Sequence, residues 1–231
     1  MNTSQSSAII KSLKKHYGAT RPDLNFNNLY ELAISVVLSA QTTDKQVNSV
    51  TPLLFKKYPD FKSLSKAGVN DIEKIIKRVG FFRVKSKHII NLSKKIMTDF
   101  SNSVPDNIDD LLTLPGIGRK SANVILAFGY GIPAFPVDTH VMRISNRLGY
   151  TEDTGKKDPD KTEIALVKII PRKDWLEAHL LFIRHGRDIC KAQNPLCEIC
   201  PVGKFCPSKM NLVKGSKIKS RIWFAITTLW I

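Results

Sequence analysis

Apolar residues recur at helical spacing almost throughout this chain: Leu29, Leu32, Ala33, Val36 and Val37, then Ile72, Ile75, Ile76 and Val79, then Ile89, Ile90, Ile96 and Met97. Residues three and four apart share one face of a helix, whereas a half-buried strand alternates with period two. Sustained alternation is missing, so the pattern predicts an all-α protein. Asn70 and Glu73 have the spacing of a capping box, and Gly80 stands where a left-handed C-terminal cap would fall. Further helices are expected over Lys120 to Phe128, His140 to Leu148, Lys161 to Ile170 and Asp174 to Ile183. Pro133, Pro136, Pro159 and Pro171 punctuate them.

A chain of 231 residues can bury a good core as one domain or as two small ones. Its 36 Lys and Arg against 20 Asp and Glu give a formal net charge of +16. Such a field attracts a polyanion, which makes nucleic acid the first candidate partner, beside the plainer reading of a merely basic protein. Met1 to Lys11 lacks the apolar region of a signal peptide, and no stretch is long and apolar enough to cross a bilayer. A cytoplasmic location with no membrane partner is therefore expected.

All four cysteines, Cys190, Cys197, Cys200 and Cys206, fall within seventeen residues in the pattern C-x6-C-x2-C-x5-C. In a reducing compartment this grouping favours metal ligation over disulfides, and the spacing by itself suits either zinc or an iron–sulfur centre. Lys191 and Lys204 lie inside the loops, where they could reach phosphates. His185 reads as a helix-face residue rather than a ligand.

The segment Leu114-Pro115-Gly116-Ile117-Gly118-Arg119-Lys120-Ser121-Ala122 sets a Gly-x-Gly turn between two helical stretches. Gly116 and Gly118 allow close backbone approach, so the turn's amides and the following helix N-terminus can point at a phosphate, with Arg119 beside them. Phosphate contacts of this kind hold a duplex without reading its sequence. Lys120 falls in the first turn of the second helix, where the positive end of the dipole favours the neutral amine, the form that attacks carbon. It reads as a nucleophile or as a second phosphate contact. Asp138, in Pro136-Val137-Asp138-Thr139-His140, is placed as a helix N-cap; paired with an amine nucleophile, a carboxylate could also stabilise an oxocarbenium-like sugar.

From about Leu29 to Cys206 the chain resembles the endonuclease III family of DNA glycosylases in the helix-hairpin-helix superfamily. The likeness is carried by Leu38 to Asp44, the Leu114 to Ala122 hairpin with Lys120, Val137 to His140, and the cysteine cluster. It implies two helical domains with DNA in a cleft between them: 22–133 ending in the hairpin, and 1–21 with 134–206 around a [4Fe-4S] cluster held by the four cysteines. It also implies a monomer that acts in base-excision repair on double-stranded DNA bearing a damaged base or an abasic site, in a bacterial-type, nucleoid-associated setting. Lys120 would attack C1′ of an extruded, oxidised pyrimidine nucleotide with Asp138 assisting, and β-elimination through a Schiff base would nick the strand 3′ to the lesion. Gln41 would fill the vacated space, Phe81 would wedge into the opposite strand, and Gly116, Gly118, Arg119, His140, Lys191 and Lys204 would contact DNA. The plainer alternatives are a solvated loop for Gln41 and core packing for Phe81.

Related readings are a pyrimidine-dimer glycosylase and an adenine mismatch glycosylase, although the latter lacks a lysine at the Lys120 position. From another class comes a non-catalytic DNA-binding module with a zinc-stabilised loop, which leaves Lys120 and Asp138 together unexplained. Leu112 stands where many relatives carry a polar residue, a departure that bears on the lesion pocket. Residues 207–231 form a C-terminal tail, basic from Lys209 to Arg221 and apolar from Ile222 to Ile231 with Trp223 and Trp230. It is too short to span a membrane.

Overall fold

The computed structural model describes residues 1–152 and 157–209. Nearly all of the tail, from Met210 onwards, lies outside the described residues. Among the described residues there are eleven α-helices and no strand. The chain forms two compact units, one of Pro22–Pro136 and the other of Met1–Arg21 with the described residues from Val137 onwards.

In the first of these units, α2 (Leu29–Ser39) buries a run from Leu32 to Leu38 and is therefore apolar nearly all round, as befits a central helix. The Asn28 side chain starts it by accepting from the Glu31 amide at 2.9 Å. Around it lie α3 (Asp44–Lys57), α4 (Phe61–Ser65), α5 (Val69–Ile76) and the long α6 (Phe82–Asp99), which packs on α2, α4 and α5. Then come α7 (Ile108–Leu112) and α8 (Arg119–Val124), the two arms of the hairpin. Leu112 is 42% exposed, at the end of α7.

Three local expectations are revised. The Asn70–Glu73 capping box does not form: α5 begins at Val69 with Gly68 as its N-cap and no side-chain cap. Gly80 is not the left-handed residue; that conformation is taken by its neighbour Phe81, the N-cap of α6, at φ 57° and ψ 32°. Gly80 serves close approach instead, since a Cβ there would stand 3.2 Å from Thr42 Oγ1 and 3.3 Å from the Gln41 carbonyl oxygen. The helix expected to Phe128 stays α-helical only to Val124 and widens into a π-turn over Ile125–Gly129. It ends on Gly129 because α2 crowds that backbone, with Leu29 Cδ2 2.5 Å from where a Cβ would be.

In the other unit, α1 (Thr3–Tyr17) and α9 (Thr139–Leu148) both pack on α11 (Trp175–Asp188), and α10 (Pro159–Ile169) packs on α9. Leu13, Ile144, Leu181 and Phe182 are fully buried between them. Helix α11 runs five residues past Ile183, to Asp188, and so carries His185 and Gly186 on its buried face. Ser6 Oγ and Tyr150 Oη lie 2.9 Å apart, which satisfies both hydroxyls.

The hairpin turn is fixed by Gly116, at φ 83°, where a Cβ would approach His88 Nδ1 on α6 and Val37 Cγ1 on α2 to 3.0 Å. Gly116→Ala is expected to lower unfolding free energy by about 1–3 kcal/mol through left-handed strain and that crowding. Urea unfolding followed by circular dichroism checks it.

Candidate functional site

The hairpin is built from a buried anchor and an open rim. Leu114 and Ile117 are buried, and the Ile117 amide donates to the Leu114 carbonyl at 3.1 Å to close the turn. Gly118 is the N-cap of α8, offers no side chain to its amides, and has open space where a Cβ would stand. Arg119 and Lys120 follow as the first two residues of the helix, and both are exposed. The side chain of Lys120 is thus open to solvent rather than sealed in the core.

Asp138 is the N-cap of α9: its Oδ1 accepts from the Val141 amide at 2.8 Å, and the residue is half-buried. The cap fixes the carboxyl's position. His140, two residues on, is half-buried over Gly186 of α11, where a Cβ would meet His140 Nδ1 at 2.8 Å. Arg143 Nη2 lies 3.0 Å from His140 Nδ1 and also donates to the Gly186 carbonyl at 2.9 Å. Burial holds the His140 imidazole below its ordinary pKa, with Asp138 pulling the other way.

Gln41 and Phe81 share an unusual backbone. Gln41 has φ 52° in the exposed turn after α2, and Phe81 has φ 57° with 65% of its surface exposed. Few side-chain-bearing residues occupy this left-handed region. The exposure of Phe81 rules out core packing as the reason for a phenylalanine there.

The four cysteine side chains line one cavity, together with Ile144, Arg147, Leu148 and His185 among others. Burial pushes the Cys200 thiol up to about 11 and raises those of Cys197 and Cys206 as well. Half-buried thiols of this kind become thiolates when a metal centre supplies the compensating charge. Among the described residues no three His, Cys, Asp or Glu side chains converge as ligands of one bare ion. The thiols are spread round a shared cavity wall, which suits a multi-iron core.

Arg147, at the last turn of α9, ties the loop down. Its Nη1 donates to the Lys191 carbonyl at 2.6 Å and reaches Cys190 Sγ at 3.4 Å, while Nη2 donates to the Ala192 carbonyl at 3.0 Å. Arg143 Nε adds a bond to the Cys190 carbonyl at 3.0 Å. Lys191 and Lys204 are exposed on the loop's outside. His185 is fully buried, with Nε2 3.6 Å from Cys200 Sγ and Nδ1 3.0 Å from the Tyr17 hydroxyl. A helix-face residue by position, it faces the thiols, which the sequence did not signal; the five-residue gap to Cys190 was the available clue.

A helical hairpin carrying an exposed lysine, with a four-cysteine loop after it, is the layout of a base-excision repair protein. Residues 34–172 match the model of the HhH-GPD superfamily of base excision DNA repair proteins, and residues 190–206 match the iron–sulfur binding domain of endonuclease III. The endonuclease III of Synechocystis sp. is 44% identical over 87% of this chain and 90% of its own length. That of Bacillus subtilis is 40% identical over 85% and 89%. A trapped endonuclease III–DNA covalent intermediate is similar in structure, with a TM-score of 0.86 at 36% identity over 91% of this chain and 98% of its own. A non-covalent endonuclease III–DNA complex gives 0.87 at 36% identity, over 93% and 99%. A thermostable thymine-DNA glycosylase shares the fold at 22% identity.

The chain belongs to the endonuclease III family. It is a DNA N-glycosylase with abasic-site lyase activity, and its cofactor is a [4Fe-4S] cluster.

Replacing Arg147 with Ala removes the guanidinium bonds to the cysteine loop. The visible absorption of the cluster should then bleach several-fold faster under an iron chelator than in the wild type, as absorbance at constant protein concentration will record.

Proposed function

We propose that this chain excises oxidised pyrimidines from duplex DNA with Lys120 as nucleophile and Asp138 as its supporting carboxylate, and then cleaves the strand 3′ to the abasic site. The observation that carries the assignment is an exposed lysine in the first turn of the hairpin helix. A hairpin that holds the backbone brings that amine to the extruded sugar. Lys120 Nζ bonds to C1′ while the glycosidic bond breaks and its electron pair leaves with the base. The capped carboxyl of Asp138 stabilises positive charge developing on the sugar and accepts a proton from the amine. Opening of the sugar ring gives a Schiff base; loss of a C2′ proton then expels the 3′ phosphate.

Gln41 enters the space left by the extruded nucleotide and Phe81 wedges beside the opposite strand, offsetting part of the cost of unstacking. Gly116, Gly118 and Arg119 hold backbone phosphates, and Lys191 and Lys204 add charge contacts from the cysteine loop. His140 completes this contact set from the first turn of α9. Cys190, Cys197, Cys200 and Cys206 are the cluster's ligands, and its contribution is to fix that loop. Among the described residues no helix is long and apolar enough to cross a membrane. With chromosomal DNA as substrate and bacterial relatives, the site of action is the cytoplasm at the nucleoid.

Borohydride trapping on a duplex with an abasic site is the direct test. The wild type should form a covalent adduct that Lys120→Ala abolishes; no adduct in the wild type would leave only a DNA-holding module. Asp138→Asn keeps a capping oxygen and should fold normally while losing about 10²–10⁴-fold in glycosylase rate on thymine glycol duplexes. A duplex panel that also carries cyclobutane dimers and adenine mismatches separates the proposed substrate class from its neighbours.

A further inference from the structure

Lys85 lies one turn into α6 with only 4% of its surface exposed. Its ammonium donates three hydrogen bonds: to the Leu38 carbonyl at 2.7 Å, the Ala40 carbonyl at 2.5 Å and Thr42 Oγ1 at 2.8 Å. An ammonium has three N–H donors, so this set uses all of them. The acceptors are the end of α2 and the turn that follows it, where carbonyls carry no intrahelical partner and the helix dipole favours a cation. Burial draws the amine down to about 8, which still leaves it charged at neutral pH.

The three acceptors bracket Gln41. Residues 40 and 42 are gripped on either side, and the residue between them is turned into the left-handed region with its side chain exposed. On the same helix, four residues before Lys85, Phe81 is the left-handed N-cap, and the Lys85 amide donates to the Phe81 carbonyl at 3.1 Å. Gly80 completes the join, because its missing side chain lets the Phe81 turn lie against Gln41 and Thr42. The two exposed tips thus belong to one bonded assembly, with the buried ammonium at its centre.

We propose that Lys85 is a positioning residue for DNA invasion: it locks the 38–42 turn to the start of α6 so that Gln41 and Phe81 are presented together, already formed, to the two strands at a lesion. The inference rests on the reading of Gln41 and Phe81 given above. Preorganisation of this kind removes an ordering cost at the moment of binding.

Lys85→Met keeps the apolar stem and removes the donors. The readout is abasic-site cleavage on a duplex compared with the same strand alone, together with fluorescence of a 2-aminopurine placed opposite a tetrahydrofuran abasic analogue. A general loss of folding lowers both cleavage rates alike, whereas a misplaced pair of tips lowers the duplex-to-single-strand ratio. That ratio is expected to fall about tenfold, the scale of one charge-assisted bonding network. The fluorescence rise on binding should shrink with it. Adding Gln41→Ala to Lys85→Met should then cost no more than Lys85→Met alone, since the unlocked turn has already lost the Gln41 tip. Thr42→Val deletes one acceptor, should give a smaller loss in the same ratio, and decides the matter if Lys85→Met does not fold. An unchanged ratio, or losses that add in the double variant, overturns the proposal while leaving the roles of Gln41 and Phe81 intact. If Gln41→Ala with Phe81→Ala leaves the duplex ratio unchanged, the invasion reading itself falls and this inference falls with it.

Discussion

The seating of other segments on α6 is the contact on which the first unit depends. His88, with Val37 of α2, lies beneath the hairpin and crowds any side chain at position 116. One turn earlier Lys85 holds the end of α2, and at the first turn Phe81 is exposed. A helix is stiff over this length, so the hairpin, the Gln41 turn and the Phe81 tip are held in one fixed frame. Atom-scale crowding at Gly80 and Gly116 enforces that frame, and interiors packed to this density transmit a displacement instead of absorbing it.

Much of this was legible in the sequence, for identifiable reasons. Helical periodicity revealed α5 and α6 because each buries one stripe, α2 was legible as an apolar run of helical length, and the Gly-x-Gly turn stood out because its flanks are helical. Asp138 was readable as a cap since it stands directly before a helical stretch, which the structure places at Thr139–Leu148. The Asn70–Glu73 box failed because the same three-residue spacing also arises inside a helix, and α5 is capped two residues earlier, at Gly68. Gly80 was recognised as special for the wrong reason: a glycine can serve backbone angle or backbone proximity, and only the fold shows which.

Lys85 was invisible for a different cause. A lysine between apolar positions reads as a solvated face, and its acceptors are main-chain carbonyls more than forty residues away in sequence, which leave no mark in residue types. His185 reads as a helix-face residue, and it is one, but a histidine on an amphipathic helix gives no sign of which loop will fold over it. In both places a buried polar group is satisfied by distant partners, as most buried polar groups in a folded interior are.

The ten residues of α9 carry a further consequence. Asp138 caps one end, and Arg147, in the last turn, holds the carbonyls of the cysteine loop, with Arg143 bonded to the Cys190 carbonyl and placed against His140 midway. A shift of the cysteine loop is therefore passed along one short helix to the residue that caps its other end.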